Sequence, residues 1–476
     1  MSRCIANAEI LADARAAFRR GNVLVENGRI AAIAYGDDAP YLQNHAAETL
    51  DANGLALVPG LVNAHHHAYA NVLRGTENAL PLELWALYTV AYGRTIDEKL
   101  LRLAILVGAA EMLRAGVTAA IDHSPPVRRA HISFAAHVES GMRVGFAPFF
   151  HDVHDHDLLG FQMPAALRAG VEGPGFAPAD LVAYIFDQLV GADGANRVAI
   201  LLGPNAPQRC SPDLLNLWVR LRERYGLGSH THLLETRAQA IACKRHWPGG
   251  IVAELDRRGL LDERLAVAHG VWLTPAERDL LAARGVTVVH NPASNLMLGS
   301  GILPTADLRQ RGVRLALGSD SANTGGSADP FELMRLATMV GRVGSDWDSW
   351  IDASAAFAMA SEGGAAAMGL AGRTGKIAVG YAADLALVDM ASAVSTACPS
   401  VETLVRHCSA ASVRATMVGG AWAYRDGKIL AFDEAAVRRD LADVAADFRE
   451  RCAGELDIAR EAHRVFEPQL RAFLEM

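Results

Sequence analysis

Of the 17 histidines in the chain, eight fall in three short runs: HHH at His65 to His67, HDVHDHD with His151, His154 and His156, and SHTH with His230 and His232. Imidazole is a common ligand for transition metals and titrates near neutrality, so these runs bring metal and acid–base chemistry into question. His65 and His67 stand one residue apart in a stretch with the texture of a strand, where a period of two sends both rings to one side, as two ligands of one ion require. An HxH pair alone also fits two buried histidines bonded to carbonyls. Further along, HTHLLE places Glu235 three residues after His232, AVAHG ends in His269 and its glycine, and LGSD ends in Asp320. Imidazoles and a carboxylate around one divalent ion leave room for water, whose pKa the ion brings towards neutrality, and a glutamate beside it can carry protons.

These residues sit where short apolar segments end. Eight such segments alternate with helical stretches: 54–67, 117–123, 143–150, 197–205, 227–233, 265–270, 286–292 and 313–320. The fillers, EKLLRLAILVGAAEMLRAG and SPDLLNLWVRLRERYG among them, repeat apolar residues at three and four and end in glycine. This is the pattern of parallel strands covered by helices, and eight units predict an α/β fold of the (β/α)8 TIM type. Active sites of such barrels lie at the C-terminal ends of the strands, where His65, His67, His123, Asn205, His232, His269, His290 and Asp320 fall. A doubly wound open sheet is the alternative, but no GxGxxG turn follows the first strand.

Both ends of the chain read differently. GNVLVENGRIAAIA carries a hairpin signal at Asn27-Gly28, and residues 374–390 and 415–430 have the same strand-turn-strand texture. Neither end can bury a face alone, so residues 1–58 and 370–430 are expected to form one small discontinuous β-sandwich domain beside a barrel of residues 59–369. Residues 431–476 read as a charged helical tail.

Composition excludes several classes of function. Hydrophobic residues make up 51%, enough for a large core, and the net charge of −8 with no basic block argues against a nucleic-acid partner. No secretory leader or apolar run of the ~20 residues a membrane span needs is evident, so a cytoplasmic protein with no membrane partner is expected. The six cysteines, Cys4, Cys210, Cys243, Cys398, Cys408 and Cys452, contain no CxxC pair and read as reduced buried thiols rather than disulfides or zinc ligands.

The motifs PGLVNAHHH, HTHLLE, AVAHG, HNPASNLMLGSGILP and LGSDSANTGG, with ENGRIAAI near the start and GKIAVGYAADLALVD near the end, resemble the amidohydrolase superfamily. The likeness spans essentially the whole chain and points to the branch of triazine chlorohydrolases, cytosine deaminases and methylthioadenosine deaminases. It implies His65, His67, His232 and Asp320 as metal ligands, Glu235 as proton shuttle, and His269 as the group that polarises the substrate. His66 is expected to point away from the metal, and His230 to leave the ligand role to His232. The binuclear members bridge two ions with a lysine on the fourth strand, but none occurs between Lys99 and Lys244, so one divalent ion is expected. Zinc is the leading choice, and the donor types also admit iron or manganese.

The resemblance further implies hydrolytic deamination of a small nitrogen heterocycle, of purine, pyrimidine, pterin, triazine or imidazolone type. Retention of Glu235 favours a leaving group that needs a proton, such as ammonia, over chloride or sulfide. Cyclic amide hydrolysis and a catalytically silent scaffold are the remaining alternatives. Trp85 matches an aromatic that stacks on heterocycles, and Asn205 stands where the nucleoside deaminases carry histidine, with no counterpart of their ribose-binding glutamate. Asn205 and Gln208, with Arg74 and Arg209, are candidates for contacting substrate, and a homodimer or homotetramer is expected. The His151–Asp157 stretch reads as a solvated loop, with a lid or a second metal site as the alternatives.

Overall fold

The computed structural model describes residues 2–36, 39–123, 126–173, 175–194, 197–325, 328–393 and 399–475. Cys398 lies outside them, and the other five cysteines are free and buried. In chain order the strands are β1 (Arg3–Ile10), β2 (Arg19–Glu26), β3 (Arg29–Tyr35), β4 (Glu48–Asp51), β5 (Ala56–Pro59), β6 (Leu61–His66), β7 (Val117–Asp122), β8 (Arg143–Phe146), β9 (Phe149–Phe150), β10 (Val198–Ile200), β11 (Gly203–Pro204), β12 (Ser229–Leu233), β13 (Leu265–His269), β14 (Thr287–His290), β15 (Arg314–Leu317), β16 (Leu385–Val388), β17 (Val413–Val418), β18 (Ala421–Arg425) and β19 (Lys428–Ile429).

All eight expected central segments contain strand. They pair in parallel as β10-β8-β7-β6, β12-β13-β14-β15 and the short β11-β9. Among the described residues the ladders do not close into one barrel sheet: between the two four-stranded sheets stand only isolated parallel bridges, His66↔Asp320 and Leu202↔Ser229. One cause of a break is legible in the chain, since Pro148 between β8 and β9 has no N–H to give a ladder. β6, β7, β13 and β14 are buried on both faces, as parallel strands covered by helices must be. Their alternation sorts side chains into two cores. Val62, Ala64, Ala119, Ile121, Ala266, Val289 and Ala316 form one of mostly small residues, whereas Leu61, Ala120, Val267, Val288, Leu315 and Leu317 join the large cluster under the helices.

The chain ends meet in one nine-stranded sheet, ordered β19-β18-β17-β16-β5-β1-β2-β3 with β4 on β1. The antiparallel pair β5–β16 joins them, matching Pro59 with Leu385 and Ala56 with Val388. The β2–β3 hairpin turns at Asn27 and Gly28, both with positive φ as a type I′ turn demands.

A single helix, Glu434–Leu474, follows, with Asp433 accepting from Ala436 N at its start. It is the charged helical segment expected, and one face of it is buried. Ala459, Ala462, Phe466, Leu470 and Phe473 pack with Leu84, Leu87, Tyr88 and Ala91 of the helix Leu82–Thr95 and with Leu158 and Phe161. Each large side chain so buried contributes about 1.5–3 kcal/mol, and total stabilities are about 5–15 kcal/mol. Deleting residues 431–476 should therefore leave the chain in the insoluble fraction, although every candidate ligand is retained; comparison of soluble yield with the full chain checks this. Among the described residues, no helix is long and apolar enough to cross a membrane.

Candidate active site

The ends of β6, β12, β13 and β15 bring His65, His67, His232, His269 and Asp320 together. The β6–β7 pairing slips between Asn63 and His66, the kind of irregularity that re-aims a strand end. Leu234, His269 and Asp320 are non-glycine residues with positive φ (45°, 74° and 61°), each costing about 1–3 kcal/mol. Half of the six such residues described thus flank this one place, and strain of that kind persists where surrounding contacts impose it.

Each of three imidazoles has Nδ1 engaged. His65 Nδ1 bonds His230 Nε2 at 2.7 Å, His67 Nδ1 donates to the His123 carbonyl, and His232 Nδ1 donates to the Asn205 carbonyl at 2.6 Å. The carbonyls fix Nδ1–H on His67 and His232 and leave their Nε2 atoms as lone-pair donors, the tautomer a metal needs, and His65 joins them when its Nδ1 is the donor to His230. They converge: His67 Nε2 lies 3.2 Å from His232 Nε2, and Asp320 Oδ1 lies 3.4 Å from His65 Nε2 and 3.2 Å from His67 Nε2. Two lone-pair nitrogens that close repel unless a cation or a proton lies between them. The arrangement fits a divalent cation.

Electrostatics agree. Burial holds His65 and His232 well below the ordinary histidine range, hence neutral. Burial acts the same way on His67, but the Asp320 carboxylate outweighs it and raises its pKa. The neighbouring His65 and His67 imidazoles hold Asp320 well below the usual carboxylate range against burial, and Ser294 Oγ and the Ser321 amide donate to it.

Glu235 is held differently. Burial, then the charges of Asp320 and Glu83, push its carboxyl well above the usual range, so it keeps its proton towards neutrality. It stands 3.5 Å from His269 Nε2 and accepts from Ser300 Oγ at 3.3 Å. His269 Nδ1 donates to Asn295 Oδ1 at 2.9 Å, which fixes the ring with Nε2 facing Glu235 and Asp320. A carboxyl whose pKa is higher folded than unfolded opposes folding as pH rises from the unfolded towards the folded value. Glu235→Gln should therefore melt higher than wild type in metal-free form at pH 8, with the gap closing at pH 4, as thermal melts at the two pH values would read.

His67, His232, Glu235 and Asp320 line a pocket whose wall also includes Trp85, Thr89, Phe149, His151, Asn205 and Arg209. Of the expected substrate contacts, Trp85 and Asn205 are on this wall, while Gln208 is 1% exposed and not on it. Arg74 pairs with Glu111 instead. His66 turns away, with Nδ1 bonded to the Ile121 carbonyl. His290 is buried outside the wall, and His123 stacks near His67 and His232. The His151–Asp157 stretch is not a solvated loop: His151 and His156 are buried and Asp155 lines the pocket. Sequence reasoning missed the holding roles of His230, Asn295 and Ser294, although HNPASN carries the last two.

The chain belongs to the amidohydrolase family, whose model matches residues 56–423. Within that family it is 32% identical over 433 residues to the 5'-deoxyadenosine deaminase of Methanothermobacter thermautotrophicus, covering 90% of this chain and 94% of that one. It is 34% identical over 425 residues to the 5-methylthioadenosine/S-adenosylhomocysteine deaminase of Nitratidesulfovibrio vulgaris, covering 88% and 91%. A crystal structure of an adenosine deaminase from Xanthomonas campestris with bound zinc superposes with a TM-score of 0.81 at 27% identity, covering 94% of this chain and 98% of that one.

Proposed function

We propose that the protein is a metal-dependent aminohydrolase that removes an amino group, as ammonia, from a ring carbon of a purine-type heterocycle, with adenosine derivatives as the first substrates to try. The observation that carries this reading is the convergence of three Nε2 atoms and Asp320 beside a proton-retaining Glu235 on the wall of one pocket. His65, His67, His232 and Asp320 would hold one divalent ion, zinc by preference and iron or manganese by donor type. When bound, such an ion supplies Lewis acidity and makes water a competent nucleophile at neutral pH.

The chain's own groups supply the rest. Glu235 carries a proton to the ring nitrogen and then to the departing amine, which would leave too slowly as an anion. His269, fixed by Asn295, faces the reacting position and stabilises charge that develops there. Trp85 offers a flat apolar face to the ring. The same wall could serve loss of chloride, but chloride leaves as a stable anion, so the second proton that Glu235 can deliver favours the amine.

The architecture we infer is a (β/α)8 barrel, residues 59–369, closed by the isolated bridges rather than by ladders, with residues 1–58 and 370–430 as its β domain and 431–476 as a buttressing helix. A homodimer or homotetramer is supported by Met339, Val343, Trp347 and Trp350, all exposed within one stretch. Ammonia release is the test: the zinc-loaded protein, offered aminated purines, nucleosides, pyrimidines, pterins and triazines, should act on the adenine type. Release from none would overturn the reading.

A further inference from the structure

The helix Leu82–Thr95 contributes Leu82, Trp85, Ala86 and Thr89 to the wall of the pocket. Glu83 is not on that wall. It reaches instead to the turn that follows β12, where Thr236 Oγ1 donates to Glu83 Oε1. Thr236 comes directly after Glu235 in the chain and is the N-cap of the helix Arg237–His246. The same hydroxyl oxygen accepts from Gln239 N at 3.2 Å, and Gln239 Oε1 accepts from Glu235 N at 2.9 Å. Three hydrogen bonds thus link Glu83, through Thr236 and Gln239, to the backbone of the proton carrier.

A hydroxyl has one hydrogen, and Thr236 gives it to Glu83, which strengthens its oxygen as an acceptor for Gln239 N. Little water can compete for these bonds, because Glu235 and Thr236 are 3% and 6% exposed. Ala238 and Ala242 of one helix share an apolar cluster with Leu84 and Leu87 of the other, so the two helices lie side by side. Leu234, on the other flank of Glu235, has a φ of 45°, a conformation that surrounding contacts must impose. The tie from Thr236 to Glu83 is a contact of that kind. Burial pushes the Glu83 carboxyl above the ordinary glutamate range against the pull of the Thr236 hydroxyl, so a neutral glutamine is a fair replacement for it.

We propose that Glu83 is a positioning residue: by holding Thr236 it fixes the Glu235 carboxyl against the helix that carries Trp85, so that the aromatic face and the proton carrier keep one spacing. The inference rests on the deaminase reading for what Glu235 does, and amide exchange, which needs no turnover, separates the two.

Hydrogen exchange read by mass spectrometry on the zinc-loaded full chain should show the amides of residues 234–240 exchanging about tenfold faster in Glu83→Ala, and at the wild-type rate in Glu83→Gln, which keeps an acceptor oxygen for Thr236. Thr236→Val breaks the tie from its other end, with Thr236→Ser as the rescue, and covers the case in which Glu83→Ala does not fold. With adenosine as substrate, Glu83→Ala should lower kcat about tenfold and change KM less than about threefold, since a displaced proton carrier slows the reacting ring more than it weakens binding. Combined with Glu235→Gln, where no proton carrier remains to be held, Glu83→Ala should add nothing; a merely structural loss would multiply with it. Unchanged exchange at residues 234–240, a wild-type kcat, or full multiplication in the double variant would overturn the proposal. Exchange that rises as expected in a protein whose wild type releases ammonia from none of the compounds offered would refute the deaminase reading and leave the placement of Glu235 by Glu83 standing.

Discussion

Glu235→Gln should lower turnover about 10²–10⁴-fold with bound metal unchanged. General acid–base catalysis by one positioned group is worth that much, and glutamine keeps the shape and the contact with Ser300 while losing the transferable proton. The lever is already visible in the resting protein, where burial and the charge of Asp320 leave Glu235 protonated in a range where an ordinary glutamate has ionised. Ammonia release at saturating substrate, with metal content by atomic absorption, is the measurement. Full turnover with normal metal would remove Glu235 from the mechanism. The loss should appear in kcat more than in KM, because the proton matters only once the ring is under attack.

Removing the metal should be at least as severe. Chelation ought to cost about 10³-fold or more, since Lewis acidity contributes several kcal/mol, and added zinc should restore the rate. His67→Ala and Asp320→Ala should not be restored by any zinc concentration tried. His230→Phe should differ: it only orients His65, so affinity for zinc falls about 10–100-fold and excess metal rescues the activity. A chelated enzyme with undiminished activity would end the metal hypothesis.

Much of this site is legible in the chain because its members sit at strand ends, where a period-two pattern and a following glycine or loop mark the position. His65, His67, His232, Glu235, His269 and Asp320 were all placed in that way, with the family resemblance assigning their roles. Their supports were not, because an imidazole is oriented by whatever acceptor the fold delivers. The carbonyls of His123 and Asn205 leave no trace in side-chain type, and Asn295 reaches His269 across 26 residues.

The fold shows the same division. Strand existence followed from apolar runs, but ladder continuity did not, since it depends on register between segments far apart in the chain. The last helix was read as a charged helical tail, and its packing was not foreseen because its apolar stripe, Ala459, Ala462, Phe466, Leu470 and Phe473, is narrow within 41 residues. The His151 segment misled for a related reason: its acidic residues look soluble one at a time, but Arg209 draws Asp155 to the wall.

That last helix also sets an order of events during synthesis. The helix carrying Trp85 is made well before the surface it leans on, which runs up to Phe473. At about 5–20 residues per second, some 20–80 seconds separate the two. Throughout that interval the apolar side of Leu84, Leu87 and Tyr88 has no permanent cover and is a natural client for chaperones. The wall that Trp85 gives the pocket therefore gains its support only when this helix has docked, and a chain that stopped before it would keep every candidate ligand while that wall lay unsupported.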